Sequence, residues 1–202
     1  MIFPNKLIVK YYTMRKIILA SNNQGKIKEF NLMLKGAYEV VSMGDMSVKE
    51  VPETGLTFVE NALIKARNAS EQSGLPALAD DSGLNVAALN GEPGIYSARY
   101  SGGNDEQNID KLLKNMDSVK DRSAYFYCAI VFVEHANDPT PVIAIGKWHG
   151  EILEQRRGEN GFGYDAIFYL PTLEKSSAEL EASVKNTISH RAVAMQDLLA
   201  KL

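Results

Sequence analysis

The chain has 202 residues, 45% hydrophobic and 23% charged, which is typical of a soluble globular domain and excludes a disordered or fibrous protein. Its 22 Lys and Arg residues against 25 Asp and Glu give a formal charge of -3, so we expect no polymeric nucleic acid as a partner. The single cysteine, Cys128, excludes disulfides and thiolate zinc sites within one chain and indicates a reducing, cytoplasmic setting. No apolar run approaches the roughly 20 residues that span a bilayer, so we expect no membrane partner.

The first residues of the chain lack the apolar core and small-residue cleavage pattern of a secretory signal. Met14 stands just before the first strand pattern. We therefore interpret residues 1–13 as an N-terminal extension or a misassigned start, and we expect residues 14–202 to form one domain because no repeat or linker divides them.

The first candidate site is a polar loop between an apolar run and a helical pattern. Residues 16–20 predict a strand, and Ile27, Phe30 and Leu34 recur at helical spacing after the loop. Free N–H groups at a helix start bind anions, so Ser21, Asn23 and Lys26 are candidate phosphate ligands. The loop does not match a Walker A motif. A polar turn with an N-cap and a solvated lysine is the alternative.

The second candidate region is acidic. Thr57 and Glu60 form a capping box that predicts a helix over residues 58–72. Residues 76–79 predict a brief buried strand that ends at Asp80 and Asp81, with Gly83 in a tight turn. Adjacent strand residues point to opposite faces, so only one of these acids is expected to face a given cleft.

Carboxylates of this region could hold Mg²⁺ together with Glu53, which lies on the loop before the capped helix. The alternative for the two aspartates is a turn in which they cap local backbone groups. Glu60 and Lys65 lie in the capped helix and need not belong to a site. Glu60 can be explained as the acid of the capping box, and Lys65 as a solvated residue on the helix surface.

The C-terminal half predicts a long antiparallel hairpin from residues 123–134 and 142–149, and a closing helix from the apolar spacing after residue 188. In the Gly-flanked loop of residues 161–165, an aromatic side chain could stack on a base while Asp165 accepts from a ring N–H. A hydrophobic hairpin end is the alternative. A basic cluster lies just before the last helix, and Ser189 is the candidate N-cap of that helix. The alternative is a helix start with charged surroundings and no role in binding. The cluster comprises Lys185, His190 and Arg191.

Six motifs, taken in order, resemble the inosine triphosphate pyrophosphatase family, in its bacterial dITP/XTP pyrophosphatase branch. They are residues 20–26 (ASNNQGK), 53–62 (ETGLTFVENA), 79–84 (ADDSGL), 94–102 (GIYSARYSG), 161–165 (GFGYD) and 189–191 (SHR). The resemblance spans about residues 16–202. One departure is Ala166, which stands where the family commonly has proline.

The resemblance implies an α/β fold: a mixed twisted sheet with flanking helices, in an elongated two-lobed single domain with a central nucleotide cleft. It also implies a homodimer, with Asp81 as general base and Mg²⁺ ligand, Glu53 as second metal ligand and Lys65 as a catalytic cation. The remaining residues would bind the substrate: Ser21, Asn22, Asn23, Gln24, Gly25, Lys26, Ser82, Phe162, Gly163, Tyr164, Asp165, Lys185, His190 and Arg191.

The implied activity is Mg²⁺-dependent hydrolysis of ITP, dITP and XTP to the monophosphate and pyrophosphate, which removes deaminated purines from the nucleotide pool. Lys185 and Arg191 would donate to the 6-keto oxygen, whereas adenine presents an amino group there. No residue is identified that excludes guanine. Two other functions stay open: a nucleotide-binding module without turnover, and a pyrophosphatase for other nucleotides.

Overall fold

The structure, a computed structural model, describes residues 14–202; the interpretation of residues 1–13 lies outside this range. Within this range there are five α-helices: α1 Gln24–Leu34, α2 Phe58–Ser73, α3 Asp105–Asn115, α4 Ala182–Ile188 and α5 His190–Lys201. The same residues form seven strands: β1 Arg15–Leu19, β2 Tyr38–Ser42, β3 Ala77–Val86, β4 Ser123–Val133, β5 Val142–Ile152, β6 Phe168–Leu170 and β7 Lys175–Ser176. None of the helices of this range is long and apolar enough to cross a membrane.

The strands form one mixed sheet in the order β2-β1-β3-β4-β5-β6-β7. β1 pairs in parallel with β2 and β3, and every later pair is antiparallel. The predicted α/β fold with a mixed sheet and flanking helices is therefore confirmed.

β4 and β5 form the predicted hairpin, paired from Ser123 with Glu151 to Phe132 with Val142. The turn that joins the two strands is stabilised by one aspartate. The Asp138 carboxylate accepts hydrogen bonds from the backbone N–H groups of Glu134 and Thr140. Such local bonding is the reason Asp favours turns.

α2 begins and ends where its sequence predicts. The Thr57 hydroxyl accepts from the Glu60 N–H, and the Glu60 carboxylate accepts from the Leu56 N–H, so the first turn is capped. Gly74 ends the helix with a left-handed backbone (φ 70°). The helix can pack close to the sheet because its buried side chains are small: Ala62, Ala66 and Ala69.

The prediction that the two acids stand at a strand end is wrong. β3 continues past them for five more residues, because its backbone pairs with β4 without interruption from Ala77 to Val86. Gly83 is likewise in the strand and not in a tight turn. A Cβ at this position would collide with the Gly94 carbonyl oxygen and the Ser97 hydroxyl, so glycine is required by close approach of the segment that follows β3.

The core formed by the described part of the chain, residues 14–202, has three hydrophobic clusters. α1 and α5 pack on one face of the sheet through side chains such as Phe30 and Leu198. α2 packs on the other face against Ile18, Val131 and neighbours. The third cluster joins α3 to the far end of the hairpin and to the segment after residue 162.

Candidate functional site

A cavity of about 390 Å³ opens between α1, α2, the middle of β3 and the start of α5. All but two of the seventeen residues predicted for the site line it. The exceptions are Gln24 and Gly25. A side chain on Gly25 would collide with the ring of Phe162, so this ring packs directly on the first turn of α1.

One wall of the cavity is the N-terminus of α1. Asn23 is the N-cap, and its side chain accepts from the Lys26 N–H at 3.0 Å. The Ser21 hydroxyl accepts from the Asn23 N–H at 3.3 Å. The first turn carries no acidic residue, so the dipole and the free N–H groups are available to an anion.

Asp80 lies on the α1 and α5 side of the sheet and is fully buried. Its Oδ2 is 2.8 Å from the Lys26 ammonium and 3.5 Å from the Arg191 guanidinium, and it accepts from the Ser82 hydroxyl. Burial alone would raise the pKa of Asp80, but these two cations outweigh burial and hold the pKa well below its ordinary value. Asp80 is therefore an ionised anchor for the cations around it.

Asp81 points to the α2 side and lines the cavity. The Asn61 side-chain amide donates to its Oδ2 at 3.1 Å, and the Lys65 ammonium is 3.6 Å from its Oδ1. Burial raises the pKa of Asp81, and the Glu53 carboxylate adds to the rise, while Lys65 opposes it. A buried carboxylate with a raised pKa is suited to accept a proton.

Glu53 is held by two cations. The Lys65 ammonium is 2.6 Å from its Oε1, and the Arg99 guanidinium is 3.3 Å from its Oε2. Burial would raise the pKa of Glu53, but Lys65 and Arg99 outweigh it and lower the pKa. Glu53 and Asp81 thus converge on one ammonium from two elements.

These two carboxylates fit the hard oxygen donors that Mg²⁺ prefers. No group of three or more His, Cys, Asp or Glu side chains among residues 14–202 is arranged to hold a metal ion. Asp80 lies on the other face of the sheet, and the Glu60 carboxylate is used by the helix cap. A metal held by Glu53 and Asp81 would therefore take its other ligands from substrate and water.

A second group of residues that line the cavity is buried and cationic. The Lys185 ammonium is 2.5 Å from Asp165 Oδ2 and lies 4.9 Å from the centre of the Phe162 ring. Asp165 also accepts from the Ser177 hydroxyl and from the Phe162 N–H. Both carboxylate oxygens thus already accept protein donors, so Asp165 orients Lys185 and the loop.

Two further buried residues belong to this group. Arg191, 1% exposed, donates to Glu29 and to the Ser82 hydroxyl. The His190 ring stacks on Phe126 with centroids 4.7 Å apart. Burial lowers the pKa of His190 well below its ordinary value, and the nearby Arg191 charge lowers it further. His190 is therefore a neutral wall of the cavity.

Three residues at this site were missed in the sequence: Glu29, Asn61 and Arg99. A signal for the first two was present, because residues three and four apart share a helix face. Glu29 follows Lys26 by three positions in α1, and Asn61 precedes Lys65 by four in α2. Arg99 stands in a short 3₁₀ segment whose position depends on tertiary packing.

The Ham1 family model matches residues 17–201 of the chain. A dITP/XTP pyrophosphatase of Vibrio parahaemolyticus is 51% identical over 194 residues, covering 94% of this chain and 97% of that protein. A dITP/XTP pyrophosphatase of Legionella pneumophila is 53% identical over 193 residues, covering 94% and 99%.

Solved structures show the same likeness. A HAM1 protein from Coxiella burnetii has a TM-score of 0.86 at 47% identity and covers 94% of this chain and 100% of that one. The Ham1 protein of Staphylococcus aureus has a TM-score of 0.83 at 45% identity, covering 93% and 97%. With the family match and these relatives agreeing over nearly the whole length, the chain belongs to the Ham1 family.

Proposed function

We propose that the chain is a nucleoside triphosphate pyrophosphohydrolase that converts ITP, dITP and XTP to the monophosphate and pyrophosphate. The observation that carries the proposal is the setting of Asp81: a buried carboxylate with a raised pKa, held by Asn61 and Lys65 in a cavity that has an anion-binding helix start. The relatives from Vibrio parahaemolyticus and Legionella pneumophila are dITP/XTP pyrophosphatases, which supports the same substrate class.

In this proposal Asp81 accepts a proton from the water that attacks the α-phosphorus. Asn61 orients the carboxylate, because its amide donates to one oxygen and leaves the other toward Lys65. Lys26 and Lys65 stabilise the charge that develops on the phosphate oxygens, and pyrophosphate leaves. A base positioned in this way contributes about 10²–10⁴-fold to the rate.

Glu53 and Asp81 would hold Mg²⁺. When bound, the ion would neutralise triphosphate charge and polarise the phosphorus under attack. Without the ion, Lys65 contacts both carboxylates, and Arg99 supplies a second positive charge beside Glu53.

The base would enter the buried, cationic part of the cavity, where Phe162 offers a ring face and Lys185 a donor. The Ser82 hydroxyl accepts a hydrogen bond of 3.1 Å from the Arg191 guanidinium. Lys185 has more donors than its two acidic partners occupy, because an ammonium carries three. We assign the remaining donor to the 6-keto oxygen of the purine.

The experiment is to measure pyrophosphate release from ITP, dITP, XTP, ATP, GTP and a modified pyrimidine triphosphate, with and without Mg²⁺. We expect Mg²⁺-dependent release that is fastest with ITP, dITP or XTP. Binding of ITP without turnover would instead mean a nucleotide-binding module, and equal turnover of ATP would refute the substrate class.

We also propose a homodimer in the cytoplasm, where the nucleotide pool is. The support for a dimer is the α2-side face of the hairpin, where the rings of Tyr125 and Tyr127 are only half-buried and His149 is exposed. Light scattering after size exclusion tests it. A mass of one chain at micromolar concentration would refute the dimer.

A further inference from the structure

Arg99 is one of the residues that line the site cavity. It ends the 3₁₀ segment Gly94–Arg99, which is tied to β3 because the Ser97 hydroxyl accepts from the Leu84 N–H and donates to the Gly94 carbonyl. Tyr164 adds a tie by donating its hydroxyl to the Ser97 carbonyl at 2.9 Å. The backbone that carries Arg99 is thus fixed from two sides.

The guanidinium itself is held loosely. Its side chain is 47% exposed, against 16% for Lys26 and 18% for Lys65. Its acidic partner is Glu53, at 3.3 Å, and its guanidinium carbon lies 5.2 Å from the centre of the Tyr96 ring. An exposed ion pair of this kind contributes little to stability, so Arg99 can exchange its partner at small cost.

The depth of the cavity determines which part of a nucleotide Arg99 would meet. The base end is closed by buried groups, with the side chains of Lys185 and Arg191 only 8% and 1% exposed. A nucleotide with its base there has its terminal phosphates toward the mouth. Among residues 14–202, five Lys and Arg side chains line the cavity, and that of Arg99 is the most exposed of them.

We propose that Arg99 binds the terminal phosphates of the substrate and the pyrophosphate that is released. The planar guanidinium presents paired N–H donors that match phosphate oxygens. On binding, Arg99 exchanges the Glu53 carboxylate for phosphate, which leaves Glu53 with Lys65 as its partner. This assignment rests on the proposed function of the cavity.

The test is calorimetric binding of inorganic pyrophosphate to the full chain and to R99A and R99K, without metal and again with Mg²⁺. We expect R99A to weaken pyrophosphate binding about tenfold or more, and R99K to fall between R99A and the unchanged protein, because lysine keeps the charge but not the fork. IMP, which has no terminal phosphates, should bind R99A and the unchanged protein equally.

R15A is the matched control. Arg15 is also paired with one glutamate and is 48% exposed, but it does not line the cavity. R15A should bind pyrophosphate as the unchanged protein does, and thermal melts should show that all three variants are folded. Equal pyrophosphate affinity for R99A and the unchanged protein, an equal loss of IMP binding, or no pyrophosphate binding by the unchanged protein would each overturn the assignment. If pyrophosphate binding depends on Arg99 but no nucleotide is hydrolysed, the proposed function fails while the site for pyrophosphate stands.

Discussion

Asp80 and Asp81 are adjacent in β3, yet their carboxylates lie on opposite faces of the central sheet. Asp80 faces Lys26, on the α1 side, and Asp81 faces Lys65, on the α2 side. The two neighbours therefore have separate roles. Asp80 anchors the cations Lys26 and Arg191, whereas Asp81 lines the cavity, where a ligand can reach it. Single substitutions should separate these roles.

Asp81→Asn should abolish most turnover and leave the fold intact. The amide keeps the shape of the side chain but cannot accept a proton, so kcat should fall by about 10²–10⁴-fold at saturating Mg²⁺. Steady-state pyrophosphate release and a thermal melt provide the two readouts. A loss of turnover below tenfold would contradict the role of Asp81 as base.

Asp80→Asn should act chiefly on stability. It leaves the buried Arg191 and the largely buried Lys26 without their shared carboxylate, and breaking a buried pair costs about 3–5 kcal/mol. For a chain of this size the Tm should fall by roughly 6–20 °C. Because the pKa of Asp80 is lowered in the folded state, the stabilisation is present above its unfolded pKa of about 3.9 and is lost as the pH falls further. A melt of D80N at neutral pH that matches the unchanged protein would refute this account.

His190 should make stability depend on pH. Its pKa is well below the unfolded value of about 6.5, so below that pH the unfolded chain takes up a proton that the folded chain does not. The free energy of unfolding should then fall by up to about 1.4 kcal/mol per pH unit. H190F keeps a ring against Phe126 and should flatten the Tm profile between pH 6.5 and 5, whereas H149F, on the exposed side of β5, should not. An unchanged slope in H190F would exclude His190 as the source.

Lys185→Met should reduce the preference of the enzyme for ITP over ATP. The change removes the donor assigned to the 6-keto oxygen, which ITP has and ATP lacks, so kcat/KM should fall about tenfold more for ITP than for ATP. K114M, with an exposed lysine on α3 that does not line the cavity, is the control. If both nucleotides lose the same factor, Lys185 only holds the Asp165 loop. Arg191 is the poorer target, because its substitution also removes the partner of buried Glu29.

Removal of residues 1–13 should leave kcat and Tm unchanged. The family match begins at residue 17, and the pairing of β1 with β2 begins at Arg15. Comparison of the full chain with a chain that starts at Met14 checks this prediction. A clear loss of Tm or turnover on truncation would show that the segment contributes to the domain.

Local interactions are what the sequence determined by itself. The caps of α2, the spacing of its buried alanines and the turn at Asp138 all involve groups a few positions apart, so their pattern is legible in the chain. The order of the six motifs also indicated the family. The alternation of side chains along a strand predicted that Asp80 and Asp81 point to opposite faces of the sheet.

The tertiary structure decided what each of these groups contacts. β3 does not end at its acids, because the ladder to β4 satisfies its backbone whatever the side chains are. Glu29 meets Arg191 across 162 positions of sequence, and Arg99 reaches Glu53 across 46. Such pairs follow from the packing of helices on the two faces of the sheet. The buried charges of Glu29 and Arg191 are stable only because each finds its partner there, and that condition is set by the fold and not by any local pattern.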